Sequence, residues 1–205
     1  MMNALKARHF AVILTTLLAS ASAAIPAPRT NSLNMIVGGI TSQPIGHYEF
    51  CQRLPDECNQ RFASTLPPKV TEYGWEMIQQ INASVNHRIE ARTDMDVYGR
   101  EEYWAYPTTA GDCEDYALEK RKELKEKGFS LADLLITVVR KPDGEGHAVL
   151  TVRTSEGDYI LDNLTDQVKL WSETDYTYLK RQASFNTGRW VSIEDGRELV
   201  VGSVR

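Results

Sequence analysis

The sequence lacks several features that would place it in a class at once. It has no run of about 20 apolar residues, the length that a membrane-spanning helix requires. Positive charge is not in excess, since 23 Lys and Arg stand against 28 Asp and Glu, for a net charge of −5. Because contact with phosphates requires a basic face, this balance argues against nucleic acid as a partner. Internal repeats and low-complexity segments are also absent, so 205 residues indicate one domain.

Cysteine is scarce, and its spacing argues against two common kinds of site. The chain has 3 cysteines, and no two of them form the CxxC motif of redox proteins. Cysteines at these positions also make a poor zinc site. Cys51 and Cys58 are close enough for a small-loop disulfide in an oxidising compartment, which would leave Cys113 unpaired. Cys113 is then either a reactive thiol or a buried, inert cysteine, and its neighbours must decide between the two.

The N-terminus has the layout of a secretory signal peptide. Lys6 and Arg8 precede the short apolar run 11–18, and Ala21-Ser22-Ala23 matches a small-residue cleavage site. We therefore predict a signal peptide over residues 1–23 and an exported protein. The alternative is a membrane anchor, for which the apolar run is short. Removing this segment takes away two positive charges and no acid, which leaves a net charge of about −7.

The composition then changes twice along the chain. Residues 24–46 mix Pro, Gly, Ser and Asn, which is typical of a linker or a flexible N-terminus. We place the folded domain at residues 47–205.

Hydrophobic periodicity predicts helices first and a sheet afterwards. Apolar residues at steps of three or four predict a helix with one core-facing side: Val70, Tyr73, Met77, Ile78, Ile81 and Val85. A second helix begins after Thr109-Ala-Gly-Asp112 and closes at Gly128. Apolar, β-branched runs joined by short turns then predict an antiparallel meander: 134–140, 147–153 and 159–162, with further strands at 176–182 and 189–193. This order of elements predicts the α+β class.

Three residues on these elements form a possible catalytic set. Cys113 lies at a predicted helix N-terminus, where the helix dipole stabilises an anion. His147 begins the second strand of the meander and Asp162 ends the third, so the two lie near one end of a hairpin, where a bulge would align them. A nucleophile, a base and an orienting carboxylate require this arrangement. Taken singly, His147 is also compatible with a solvent-facing strand residue, and Asp162 with a turn residue.

Four segments resemble one known family. GDCEDYALEK, LLITVVR, GEGHAVLTV and DYILDNLTD are similar to the bacterial transglutaminase-like cysteine peptidases, whose best-studied members are the periplasmic LapG-type proteases. The resemblance covers roughly residues 46–193. It implies a papain-like, transglutaminase-core fold with N-terminal helices packed on an antiparallel sheet. The catalytic cysteine, histidine and aspartate of the family fall on Cys113, His147 and Asp162.

The resemblance also implies a role for the acids around Cys113. In LapG-type proteases, carboxylates beside the nucleophile bind a calcium ion that activity requires, and these positions fall on Asp112, Glu114 and Asp115. Calcium takes six to eight oxygen ligands, so three carboxylates would form the nucleus of such a site. The alternative is that acids in the first turn only favour the helix dipole.

The implied function is that of a periplasmic cysteine peptidase. LapG-type proteases release biofilm adhesins from the cell surface and are sequestered by an inner-membrane receptor, so a surface adhesin is the implied substrate and such a receptor the implied regulator. Transamidation on the same triad is one alternative, and a non-catalytic, calcium-stabilised binding module is another. Trp104 either lines the substrate groove, shapes the oxyanion site or belongs to the core. The oligomeric state does not follow from the sequence.

Overall fold

Residues 32–64 and 66–195 are described by the structure, a computed structural model. The predicted signal peptide, residues 1–23, lies outside the described residues. None of the helices within the described ranges is both long and apolar enough to cross a membrane.

The described chain alternates first between short strands and helices and then becomes almost entirely β. The helices are α1 (Ile45–Arg53), α2 (Glu72–Arg88), α3 (Asp94–Tyr98) and α4 (Cys113–Glu126). The strands are β1 (Val37–Thr41), β2 (Glu90–Ala91), β3 (Ala110–Gly111), β4 (Leu134–Arg140), β5 (Gly146–Thr154), β6 (Gly157–Asp162), β7 (Thr165–Leu170), β8 (Thr177–Ala183) and β9 (Asn186–Ile193).

One antiparallel sheet of seven strands organises the fold, in the order β1-β9-β8-β4-β5-β6-β7. Strands β4 to β6 form the predicted meander, to which β7 adds a fourth strand, and β8 and β9 correspond to the predicted strands at 176–182 and 189–193. Strand β7 was not predicted. The helices precede most of the sheet in the chain, which confirms the α+β class.

The sheet is covered on both faces because its central strands carry apolar residues on each side. On one face, Leu118 and Leu124 of α4 belong to the same buried cluster as Ile136 and Leu150 of the sheet. The other face has a smaller cluster that includes Val149. Burial on both faces explains why β4 and β5 read as nearly continuous apolar runs rather than as alternating strands. The packing holds the N-terminus of α4 at the start of β5.

The prediction of a linker over residues 24–46 is wrong for its second half. Strand β1 pairs with β9 at the sheet edge, and α1 begins at Ile45, so the folded domain starts before residue 47. One of the glycines that suggested a loop lies close against β9, since a Cβ at Gly38 would lie 2.5 Å from Ser192 Oγ.

Candidate active site

Cys113 is the first residue of α4, and its sulfur lies against the backbone of β5. The Ala148 backbone N–H donates a hydrogen bond to Cys113 Sγ over 3.3 Å. The thiol in turn donates to Glu114 Oε2 at 3.1 Å. Ala148 directly follows His147, so the helix N-terminus brings the cysteine to the strand that carries the histidine.

His147 and Asp162 form a buried pair, with 2.9 Å between His147 Nε2 and Asp162 Oδ1. Strands β5 and β6 pair in a regular register from Thr154–Gly157 to Leu150–Leu161. This regular pairing ends one residue before Asp162. At this point the pairing of β6 with β7 shifts register between Ile160 and Asp162.

Asp162 has two further donors that the sequence did not reveal. The hydroxyl of Tyr176 donates to Asp162 Oδ2 at 2.5 Å, and the Leu164 N–H donates to Oδ1 at 3.0 Å. Burial acts to raise the pKa of Asp162, but the hydrogen bond and charge of His147, aided by Tyr176, outweigh it and hold the pKa below its usual range. The ring centroid of Tyr176 also lies 5.6 Å from that of His147. Tyr176 lies just before β8, far in the sequence from the GDCEDYALEK segment, and no local sequence pattern identifies it as part of the site.

Helix α2 anchors the turn that carries Asp162. Asn86 Nδ2 donates to the Asp162 carbonyl at 3.0 Å. Asn82 Nδ2 donates to the carbonyls of Thr165 and Asp166 at 3.1 and 3.0 Å. Asn82 and Asn86 are four residues apart and so share one face of the helix. They tie the position of Asp162 to a core helix.

The electrostatic surroundings of Cys113 oppose a thiolate. Burial raises the pKa of Cys113 well above its usual range, and the Glu114 carboxylate raises it further. Burial and the neighbouring Asp112 carboxylate likewise raise the pKa of Glu114. A source of positive charge near these groups would therefore favour the reactive form of the cysteine.

Three carboxylates, those of buried Asp94 and Asp115 and of half-buried Asp112, meet beside the N-terminus of α4. One oxygen from each of Asp94, Asp112 and Asp115 lies within 4.8 Å of the others. Each residue has a buried oxygen without a hydrogen-bond partner, namely Asp94 Oδ1, Asp112 Oδ1 and Asp115 Oδ2. Burial raises the pKa of Asp115 to about 8, and the Asp112 and Asp94 charges add to the rise. Buried, unpartnered carboxylate oxygens are costly, so this cluster fits a cation.

The remaining oxygens of the cluster are held by the backbone. Asp115 Oδ1 accepts from the Ala105 N–H at 2.7 Å, and Asp94 Oδ2 accepts from the Tyr103 N–H. A Cβ at Gly111 would lie 2.5 Å from Asp115 Oδ2, so only glycine leaves room for that carboxylate. These contacts fix the positions of the Asp94 and Asp115 carboxylates.

The acidic residues predicted as ligands fall into two groups. Asp112 belongs to both groups, whereas Glu114 groups with Cys113 and Asp115 groups with Asp94. Successive helical residues point about 100° apart, which separates Glu114 from Asp115. Asp94, from α3, is the carboxylate that sequence reasoning missed, because 18 positions along the chain separate it from the Asp112 cluster.

The structure also shows how the cysteines pair and where Trp104 lies. Cys51 and Cys58 form a disulfide, and Cys113 is the free cysteine of the described chain. Trp104 is 2% exposed, and its ring centroid lies 5.5 Å from that of His47 and 6.3 Å from that of Trp190. It is thus a core residue, and its place in a substrate groove or oxyanion site is not supported.

Comparison with known proteins gives one extensive match. The sequence profile of the bacterial transglutaminase-like cysteine proteinases (BTLCP) matches residues 37–198. No curated protein matches the chain. Calcium-bound LapG of Legionella pneumophila is 24% identical, with a TM-score of 0.49 over 57% of this chain and 68% of that chain. The EGTA-treated form is 26% identical, with a TM-score of 0.49 over 62% and 74% of the two chains. The profile match spans most of the chain, including Cys113, His147 and Asp162.

Proposed function

This chain belongs to the bacterial transglutaminase-like cysteine proteinases, a family of cysteine peptidases, and we propose that it cleaves a protein substrate with Cys113, His147 and Asp162 as its triad. The observation that carries the assignment of roles is the 2.9 Å contact between His147 Nε2 and Asp162 Oδ1. The contact of Cys113 Sγ with the amide that follows His147 supports it.

The contact with Asp162 decides which nitrogen of His147 acts as the base. An ionised carboxylate can only accept, so Nε2 carries the proton and donates it to Asp162, and Nδ1 keeps its lone pair. Nδ1 takes the Cys113 proton, and the thiolate attacks the peptide carbonyl. The imidazolium then protonates the leaving amine, and water activated by Nδ1 hydrolyses the acyl-enzyme.

The backbone N–H of Cys113 is the proposed oxyanion donor. As the first residue of α4, Cys113 has an N–H without an acceptor inside the helix. Such a donor can stabilise the negative oxygen of the tetrahedral intermediate.

We further propose that Asp94, Asp112 and Asp115 hold a calcium ion, with Glu114 at its border. The donor set consists of oxygens alone, which hard cations such as calcium prefer. A bound calcium would supply the positive charge that lowers the pKa of the Cys113 thiol. The unpartnered oxygens of the three aspartates support this assignment.

The proposed setting is the periplasm. A sequence with signal-peptide layout at residues 1–23 and the Cys51–Cys58 disulfide both fit an oxidising compartment outside the cytoplasm. By the family resemblance, the substrate is a cell-surface adhesin, and an inner-membrane receptor regulates the enzyme.

The proposed function is tested by comparing proteins released from cells that carry the wild-type chain or Cys113→Ala. Wild-type cells are expected to release a truncated surface protein that cells with the variant retain. The purified wild-type protein, but not His147→Ala, should cleave the same protein. Cleavage by folded Cys113→Ala protein would refute the triad. Incorporation of a labelled primary amine in excess over hydrolysis would favour transamidation.

A further inference from the structure

The apolar stripe of helix α2 continues beyond the part that the core covers. Ile78 and Val85 are fully buried, as the stripe predicts, but Tyr73 in the first turn is 68% exposed. Met77 is half-buried. The stripe was predicted to be core along its whole length, and this prediction is wrong at its N-terminal end. Val70 and Trp75 pack against the core, so Tyr73 and Met77 are the apolar side chains that stay accessible at this end of the stripe.

These side chains line a cavity of about 390 Å³ between the start of α2 and the loop after α4. Cavities of about 300–1,000 Å³ are typical of sites that bind small ligands. We call it the α2–α4 pocket. Its lining includes Lys69, Val70, Tyr73, Met77, Lys127 and Phe129.

The rim of the α2–α4 pocket is positively charged. Arg153 is neutralised by Asp133, with 3.3 Å between them. By contrast, Lys69 and Lys127 form no ion pair with any residue in the described ranges 32–64 and 66–195. Two unpaired ammonium groups beside an apolar cavity are notable in a chain with a net charge of −5. Such a patch attracts and orients an acidic partner.

The α2–α4 pocket is separate from the candidate active site. Lys127 and Phe129 follow the C-terminus of α4, whereas Cys113 begins that helix. Fourteen residues at 1.5 Å each place the two ends roughly 20 Å apart. An occupant of the pocket would therefore leave Cys113 accessible.

We propose that the α2–α4 pocket docks a segment of a partner protein in which one aromatic or large aliphatic side chain is flanked by Asp or Glu. Tyr73, Met77 and Phe129 receive the apolar side chain, because aromatic rings and the flexible thioether adapt to a buried anchor. Lys69 and Lys127 pair with the flanking carboxylates. The proposal does not depend on the peptidase activity.

A labelled decapeptide with one Trp between two Asp-Glu pairs is the probe. Its binding is measured by fluorescence anisotropy to the Cys113→Ala protein, so that cleavage plays no part. We expect saturation below about 1 mM, weakening as salt is added. The peptide with Ala in place of Trp, and the peptide with Lys in place of each acid, should each bind at least tenfold more weakly.

Charge reversal locates the binding surface. Lys69→Glu with Lys127→Glu should weaken binding at least tenfold. Lys169→Glu with Arg189→Glu changes the net charge equally at other places and should leave binding unchanged. Melting curves show whether either double variant is folded. Equal affinity of both double variants for the peptide would overturn the proposal, as would a failure to saturate by 1 mM.

Methionine methyl NMR of the protein without the charge reversals provides a second readout. Besides Met1 and Met2, the chain has Met35, Met77 and Met95. The Met77 methyl signal should shift on peptide addition, while buried Met35 and the exposed Met95 of α3 should not. A shift of Met95 with Met77 unmoved would place the peptide elsewhere and contradict the proposal.

Discussion

His147 Nε2, near the start of β5, lies 2.9 Å from Asp162 Oδ1, at the end of β6. Two adjacent antiparallel strands thus place a base beside its orienting carboxylate. The contact selects the Nε2–H tautomer of His147 and thereby makes Nδ1 the proton acceptor. The predictions below follow from this contact and from the residues that support it.

Asp162→Asn is expected to lower kcat by roughly 10³–10⁴-fold with little change in fold. The amide has nearly the same shape, but its NH2 group can donate to Nε2 and so favours the wrong tautomer of His147. Steady-state kinetics measure the effect, and a melting curve controls for folding. A loss of less than tenfold would show that Asp162 does not orient the base.

Tyr176→Phe is expected to reduce kcat about tenfold and to leave KM nearly unchanged. The hydroxyl stabilises the ionised form of Asp162, so its removal raises the pKa of that carboxyl. The acidic limb of the pH–rate profile should therefore move to higher pH. Tyr178→Phe is the matched control, since it removes a buried hydroxyl that bonds to Thr174 instead. Identical pH profiles for the wild type and Tyr176→Phe would contradict the positioning role.

Asp94→Asn is expected to weaken calcium binding roughly tenfold or more, because it removes one charge from a site of few carboxylates. Isothermal titration calorimetry with calcium on the purified protein measures the affinity. Asp96→Asn, a change of the same kind on an exposed residue of α3, should have little effect. If both variants bind calcium as the wild type does, Asp94 is not a ligand.

Lys120→Met is expected to change how stability depends on pH. Burial lowers the pKa of Lys120 to about 7, although the Asp162 charge acts in the opposite direction. Between pH 7 and about 10.5 the unfolded chain binds this proton and the folded chain does not, so stability rises with pH. The substitution should raise Tm most near pH 6, with a gain that shrinks toward pH 9.

Lys122→Met is the control for this prediction, because its side chain on the same helix is 43% exposed. Its effect on Tm should not vary with pH. A gain for Lys120→Met that is constant from pH 6 to 9 would show that Lys120 does not titrate in this range.

The sequence predicted the parts of the site that local patterns encode. The helix-start pattern Thr109-Ala-Gly-Asp112 placed Cys113, although Asp112 makes no side-chain cap hydrogen bond in the structure. Short turns between β-branched runs placed His147 and Asp162 on adjacent strands. The family resemblance is confirmed by the profile match over residues 37–198. Strand β1 escaped prediction because its two glycines are typical of a turn, whereas the strand is ordered by pairing with β9, which is about 150 residues away in the chain.

By itself, then, the sequence determined the fold class, the helices α2 and α4, most strands of the sheet and the three residues of the predicted triad, because turns and hydrophobic periodicity act between neighbours in the chain. The tertiary structure alone decided which groups surround those residues. Tyr176 and Asn86 reach Asp162, and Asp94 joins Asp112 and Asp115, because packing of the sheet and helices brings distant segments together. It also decided that Tyr73, in the first turn of α2, stays exposed while Trp75 in the same turn packs against the core.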